Sequence, residues 1–263
     1  MVRDQAYAGG MPSLHAVVTG ASSGIGAETV KQLTDHGWLV TAVARRRERL
    51  DELARLTGCD VVVADITNAD DVAEMARKIT AHGPVHTLIN NAGGALGMEP
   101  VSDSDPEAWL SQYELNVVGT VRVTQALLPA LKDSGRGDVV VITSTAGHEP
   151  HERGAGYAAA KHAEVAMTRT LRLELAGQGV RVIEIAPGMV HTEEFSLNRF
   201  GGDQARADAM YQDIQPLVAE DIADAVVWAV TRPHHVNVDL LVVKPREQAS
   251  YTKTVRGFVP HVE

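Results

Sequence analysis

Tyr157 precedes Lys161 by four residues in the stretch GYAAAKHAEVAMTRTLRLELA, Gly156–Ala176. On a helix, residues at i and i+4 share a face, so the phenol and the ammonium can serve one point. A free phenol titrates near 10 and accepts a proton poorly at neutral pH. A neighbouring ammonium favours the phenolate, which makes the tyrosine a usable base toward an alcohol and, in reverse, an acid toward a carbonyl. Three hydroxyls stand at Thr143, Ser144 and Thr145, with Ser144 thirteen residues ahead of the tyrosine at the end of an apolar run. A hydroxyl there can bond a substrate oxygen as its charge changes.

A second group of residues points to a nucleotide. An apolar run leads into TGASSGIG, Thr19–Gly26, in which Gly20, Gly24 and Gly26 let a turn tighten against a pyrophosphate. The pyrophosphate would sit on the N-terminus of the helix that follows, with Ser22, Ser23 and Ile25 in the same turn. Folds of this kind usually carry, about 20 residues on, a carboxylate for the ribose 2′-hydroxyl or an arginine for a 2′-phosphate. Here the sequence reads VARRRERL, with no carboxylate and with Arg45, Arg46 and Arg47 opening the next helix. Cations are disfavoured at a helix N-terminus unless an anion neutralises them. The expected cofactor is therefore NADP(H) rather than NAD(H).

The elements that must hold these residues follow from the hydropathy pattern. Strands are expected at His15–Thr19, Leu39–Ala44, Asp60–Ala64, Thr87–Asn90, Asp138–Thr143, Val180–Ile185 and Leu240–Val243. Helical patterns at Gly24–His36, Ala69–Ala81, Glu107–Leu131, Gly156–Ala176 and Ala219–Thr231 separate them, beside the arginine-led helix. Near-continuous apolar strands between helices predict a single-domain, Rossmann-like, doubly wound α/β fold: a parallel sheet of about seven strands with helices on both faces. The 263 residues suffice for one large core. The expected layout is a leader at 1–13, a nucleotide-binding domain at 14–248 with a polar lid near 190–215, and a tail at 249–263. A net charge of −10 without a basic stripe excludes nucleic acid. Cys59 is the sole cysteine and no apolar run approaches the ~20 residues of a membrane span, which fits a cytoplasmic protein.

Six motifs in order, TGASSGIG, NNAG at Asn90–Gly93, Asn116 in ELNVVGT, Ser144 in ITSTAG, the Tyr157/Lys161 pair and PGMVHT at Pro187–Thr192, resemble the short-chain dehydrogenase/reductase family over about residues 14–245. The resemblance selects Ser144 among the three hydroxyls. It implies a catalytic tetrad of Asn116, Ser144, Tyr157 and Lys161, in which Lys161 also holds the nicotinamide ribose and Asn116 holds a water. It further implies adenine contacts at Asp65 and Ile66, and cofactor contacts at Asn91, Ala92, Gly93, Pro187, Gly188, Val190 and Thr192. Homotetramers are implied as well, with dimers second.

NNAGGALGMEP, EFSLNRFGGD and AVTRPHHVNVDLLVVKP look like the NADP-dependent 3-hydroxy acid dehydrogenases, a branch that oxidises serine and related β-hydroxy acids. Wider relatives reduce general aldehydes and ketones, and that is the alternative. A non-catalytic NADP-sensing protein would be expected to lose Tyr157 or Lys161, and an epimerase needs a larger C-terminal region. A small substrate carrying a carboxylate would require a cation when buried. Arg153, Arg199 and Arg206 are the candidates, with Arg199 first by the branch pattern. GHEPHER, with His148, Glu149, His151 and Glu152, lacks metal-site order because Pro150 breaks the register. No metal is expected, these residues are assigned to the substrate pocket or its rim, and His234 and His235 are assigned to the surface.

Overall fold

The computed structural model describes residues 13–257; all of the leader but Ser13, and the end of the tail, lie outside the described residues. From the first strand to the middle of the fold run β1 (His15–Thr19), α1 (Gly24–Asp35), β2 (Leu39–Ala44), α2 (Arg47–Thr57), β3 (Asp60–Val63), α3 (Ala69–Thr80) and β4 (Thr87–Asn90). The second half holds α4 (Pro106–Tyr113), α5 (Gly119–Asp133), β5 (Gly137–Ile142), α6 (Ala155–Glu174) and β6 (Val180–Pro187). The short lid helices α7 (Phe195–Arg199) and α8 (Gln204–Ala209) then precede α9 (Ala219–Val230) and β7 (Leu240–Val243). All seven strands are parallel, in the order β3-β2-β1-β4-β5-β6-β7. The order reverses between β1 and β4, which places a crevice beyond their carboxyl ends.

Alternation along the strands feeds two cores. Ala16 and Val18 of β1 pack with Val30 and Leu33 of α1, Leu50 of α2 and Ile222 and Val226 of α9. Val17, between them, packs on the opposite face with Met75 and Ile79 of α3 and Val123 and Leu127 of α5. Both faces are covered, which is why the strands read as continuous apolar runs rather than alternating ones. Under the N-terminal edge of the sheet, buried Arg181 forms a two-bond ion pair with Asp138, at 2.6 and 2.9 Å. Its remaining donors reach the carbonyls of Val230, Arg232 and Val236, just where α9 ends. His234, expected on the surface, is half-buried here, its Nε2 3.2 Å from the Gly137 carbonyl.

One expected helix is broken. Glu107–Leu131 reads as continuous, but the chain forms α4, a five-residue π turn at Glu114–Val118, and then α5. Such turns carry i→i+5 bonds and occur mostly at functional sites. Among the described residues no helix is long and apolar enough to cross a membrane.

Candidate active site

The crevice at the reversal of strand order opens into a cavity of about 920 Å³. Its floor at one end is the turn after β1. Gly20 has φ +65°, and a Cβ on it would fall 2.8 Å from the Ala92 Cα, so the turn and the β4 loop meet only because that position lacks a side chain. Asn91 ties the two together, its Nδ2 donating to the Thr19 carbonyl at 3.0 Å. Of the expected cofactor residues, Gly20, Ser23, Gly24, Ile25, Asn91, Ala92, Gly93, Pro187, Gly188, Val190 and Thr192 line the cavity. Gly26 is buried behind the turn.

Arg46 lies at the outer end of this turn. It donates to the Ser22 hydroxyl at 2.8 and 3.2 Å and to the Ser23 hydroxyl at 3.1 Å, while the Glu194 carboxylate of the lid accepts two bonds at 2.6 and 2.8 Å. The Arg46 bonds hold the Glu194 carboxyl below the usual carboxylate range. Arg45 points to solvent and reaches Asp65 at 3.8 Å. Asp65 is engaged in its own turn: Thr67 donates to it from Nα and Oγ1 at 2.9 and 2.8 Å. Burial opposes its charge, yet these bonds and Arg45 keep its carboxyl below the usual value. Asp65 and the buried Ile66 stand outside the cavity lining, beside it rather than in it. A guanidinium flanked by two hydroxyls that already grips one anionic group is a donor set suited to a 2′-phosphate, and the close backbone approach at Gly20 suits a pyrophosphate.

At the other end Ser144, Tyr157 and Lys161 line the same cavity, as expected from their spacing. Ser144 leaves β5 in an extended conformation, accepts from the Ala146 amide at 3.1 Å and keeps its hydroxyl 3.5 Å from the Pro187 carbonyl. Tyr157 and Lys161 sit in the first two turns of α6, both buried, with Lys161 Nζ 6.0 Å from the phenol ring centre. Nζ donates to the Ile142 carbonyl at 3.0 Å and to the Glu164 carboxylate at 2.6 Å. Burial pushes the Glu164 carboxyl up to about 7 against the pull of Lys161. For Lys161 burial acts in the opposite sense, but the carboxylates of Glu164 and Glu184 and the Tyr157 phenol hold its ammonium above the ordinary value.

Asn116 does two jobs. Its Nδ2 donates to the Gln112 carbonyl, one turn back, at 2.7 Å, and to the Gly94 carbonyl at 3.0 Å. Its Oδ1 accepts from the Gly94 amide at 3.1 Å. A side chain of the π turn thus bonds the helix before it and also fixes the β4 loop beside Lys161.

Arg199 and Arg153 have opposite fates. Arg199, at the end of α7, is buried, lines the cavity and lies with its guanidinium carbon 5.6 Å from the Tyr157 ring centre. Its Nε donates to the Gly97 carbonyl at 3.2 Å, while Nη2 is buried with no hydrogen-bond partner among the described residues. A side chain at Gly154 would collide with that nitrogen. Arg153 is a correction to the expectation: it is exposed at φ +66° and contributes nothing to the cavity, because the tight turn into α6 throws it outward. Arg206 is likewise exposed, stacked 4.5 Å over Phe200.

The GHEPHER residues diverge. His148 bonds Glu184 at 2.6 Å, Glu149 accepts from the Tyr251 amide at 2.9 Å, and His151 and Glu152 line the cavity. Burial, and then the charge of Arg199, push the His151 imidazole down to about 4, so it is neutral at pH 7. Its ring packs 3.8 Å from that of Tyr251. The segment set apart as a tail is not appended: Tyr251, Thr252, Thr254 and Arg256 line the cavity. Sequence reading missed these, together with Met98, Phe195 and Tyr211, since no spacing rule links residues this far apart in the chain.

Comparison with known proteins identifies the family. The family model described as short chain dehydrogenase matches residues 14–199. The chain is 41% identical to sulfoacetaldehyde reductase 2 of Chromohalobacter salexigens, over 89% of this chain and 94% of that protein. It is 38% identical to the NADP-dependent 3-hydroxy acid dehydrogenase YdfG of Escherichia coli K12, over 89% and 95%. Among solved structures, the closed form of a serine dehydrogenase complexed with NADP+ superposes with a TM-score of 0.88 at 36% identity, covering 92% of this chain and 99% of that one.

Proposed function

The chain belongs to the short-chain dehydrogenase/reductase family, and from that premise we propose that it interconverts a hydroxyl and a carbonyl on a small substrate carrying an anionic group, in the manner of a 3-hydroxy acid dehydrogenase. It is an NADP-dependent oxidoreductase. NADP(H), when bound, supplies or accepts the hydride. The protein's residues orient the substrate and manage one proton. Arg46, flanked by Ser22 and Ser23, meets the 2′-phosphate, and the Gly20 turn meets the pyrophosphate. Tyr157 takes the hydroxyl proton in oxidation and returns it in reduction, Ser144 bonds the reacting oxygen, and Lys161 supplies the positive charge that favours the phenolate.

One observation carries the substrate reading: Arg199 is buried beside Tyr157 with one guanidinium nitrogen, Nη2, unpaired among the described residues. A buried cation with no anion beside it is expensive, and a substrate carboxylate or sulfonate would supply one. His151, neutral and with both ring nitrogens unpaired among the described residues, adds a hydrogen bond at the same place. The test is Arg199→Ala assayed on 3-hydroxypropanoate and on 1-propanol. KM for the acid should rise at least about tenfold, with kinetics on the alcohol nearly unchanged. Equal effects on both would reduce Arg199 to a lid residue and favour a general carbonyl reductase.

Apolar side chains left in solvent support assembly into a homo-oligomer, in the family's manner a homotetramer. Leu110 and Tyr113 of α4 and Leu173 of α6 are exposed together with Trp228 of α9 and Leu240 and Val242 of the edge strand β7. The helices α4 and α6 would supply one contact and α9 with β7 the other, as a tetramer needs.

A further inference from the structure

Glu164 is 1% exposed, touches the lysine of the catalytic pair at 2.6 Å, and has no part in the chemistry above. A buried carboxylate survives only when paired, and here the partner is the group whose charge the proton transfer uses. The groups facing it come from three elements. Lys161 lies on its own helix with Tyr157 one turn further back, α5 contributes the Thr120 hydroxyl, and β6 contributes Glu184. Glu184 is itself occupied by His148 at 2.6 Å and by the Thr143 hydroxyl at 2.9 Å. Beyond His148, Arg169 reaches the imidazole Nδ1 at 3.3 Å.

We propose that Glu164 is a positioning residue for the proton chemistry: by pairing with Lys161 it sets how much positive charge the Tyr157 hydroxyl faces, and so the pH above which the enzyme can oxidise an alcohol. This rests on the roles given above to Tyr157 and Lys161. With Glu164 protonated, Lys161 presents a full charge to the phenol. With Glu164 ionised, the pair is neutral and the phenolate loses part of its support. Burial pushes the Glu164 carboxyl up to about 7, so this change falls in the range where the enzyme works, and it opposes phenolate formation as pH rises. The contact also holds Nζ between the Ile142 carbonyl and the carboxylate, which fixes where the charge sits.

The test is the pH profile of kcat/KM for 3-hydroxypropanoate oxidation with saturating NADP+, in the parent, Glu164→Gln and Glu164→Leu. Both variants remove the carboxylate that offsets the Lys161 charge, so the acidic limb should move down by about one pH unit. A limb that stays in place while the plateau falls would make Glu164 a packing residue only. Phenolate absorbance of the NADP+-bound protein, with Tyr157→Phe as blank, gives a readout that needs no turnover and should shift by the same amount. Absence of turnover with a shifted phenolate titration would sink the dehydrogenase reading and leave this inference standing. Should neither variant fold, the parent's phenolate titration decides. The inference requires a curve stretched by a second ionisation near 7, and a single-group curve overturns it.

Discussion

The cavity is lined by one member of each of two ion pairs, Glu194 and Lys161, and the two pairs obey different physics. At the adenosine end Arg46 and Glu194 are 43% and 21% exposed and join the turn after β1 to the lid. At the nicotinamide end Lys161 and Glu164 are 5% and 1% exposed and lie within one helix. An exposed pair gains little and is screened by salt, so its partners can be exchanged for another anion at small cost. A buried pair resists exchange, because removing one partner strands the other charge and costs about 3–5 kcal/mol. The first arrangement suits a site that must take up and release a phosphate. The second suits a site whose charge must stay in one place and answer only to the proton.

The largest effect should come from the buried end. Tyr157→Phe keeps the ring and removes the proton donor, so kcat should fall by about 10²–10⁴ while NADPH still binds, as fluorescence titration would report. Activity within tenfold of the parent would break the contrast at its root. Next comes Arg46→Ala at the exposed end. Charge-assisted bonds to phosphate are worth about 1.5–3 kcal/mol, so NADPH should weaken by one to two decades while NADH is little affected. Equal losses for the two cofactors would remove Arg46 from the 2′-phosphate site. The smallest effect sharpens the idea of exchange. Glu194→Gln frees Arg46 from its resident anion, so NADPH should bind a few-fold tighter at low salt, with the gain fading as ionic strength rises. Weaker binding would mean that Glu194 and the phosphate hold Arg46 together rather than in turn.

What the sequence made legible was short-ranged. The strands declared themselves because each is buried on both faces and reads as an apolar run, and the glycine turn because a strand and a helix bracket it within a dozen residues. Ser144, Tyr157 and Lys161 stand where their spacing put them. Arg153 and Arg199 could not be ranked by spacing alone: nearness to Tyr157 in the chain favoured Arg153, but its left-handed backbone turns it to solvent, while the lid returns Arg199 from forty-two residues away. Glu194 and Glu164 went unnoticed for a related reason. A carboxylate in a helix or a loop looks like any solvated one until the fold shows which cation it meets. The tail escaped because Tyr251 acquires a role only by packing against His151, a hundred residues earlier.

The π turn at Glu114–Val118 amounts to one residue more than an α-helix would use for the same span. The extra residue is absorbed inside the turn, so taking any one of the five away would let the helix run true with both flanks in place and would re-aim only the side chains within the turn. Gln112 would still accept from the Leu96 amide, now at 2.9 Å, and Trp109 would still cover the bare face of Gly156. Asn116 could then be kept letter for letter and still lose Gly94. Part of what this enzyme needs is thus recorded as a length, and substitution scans, which preserve length, would pass over it.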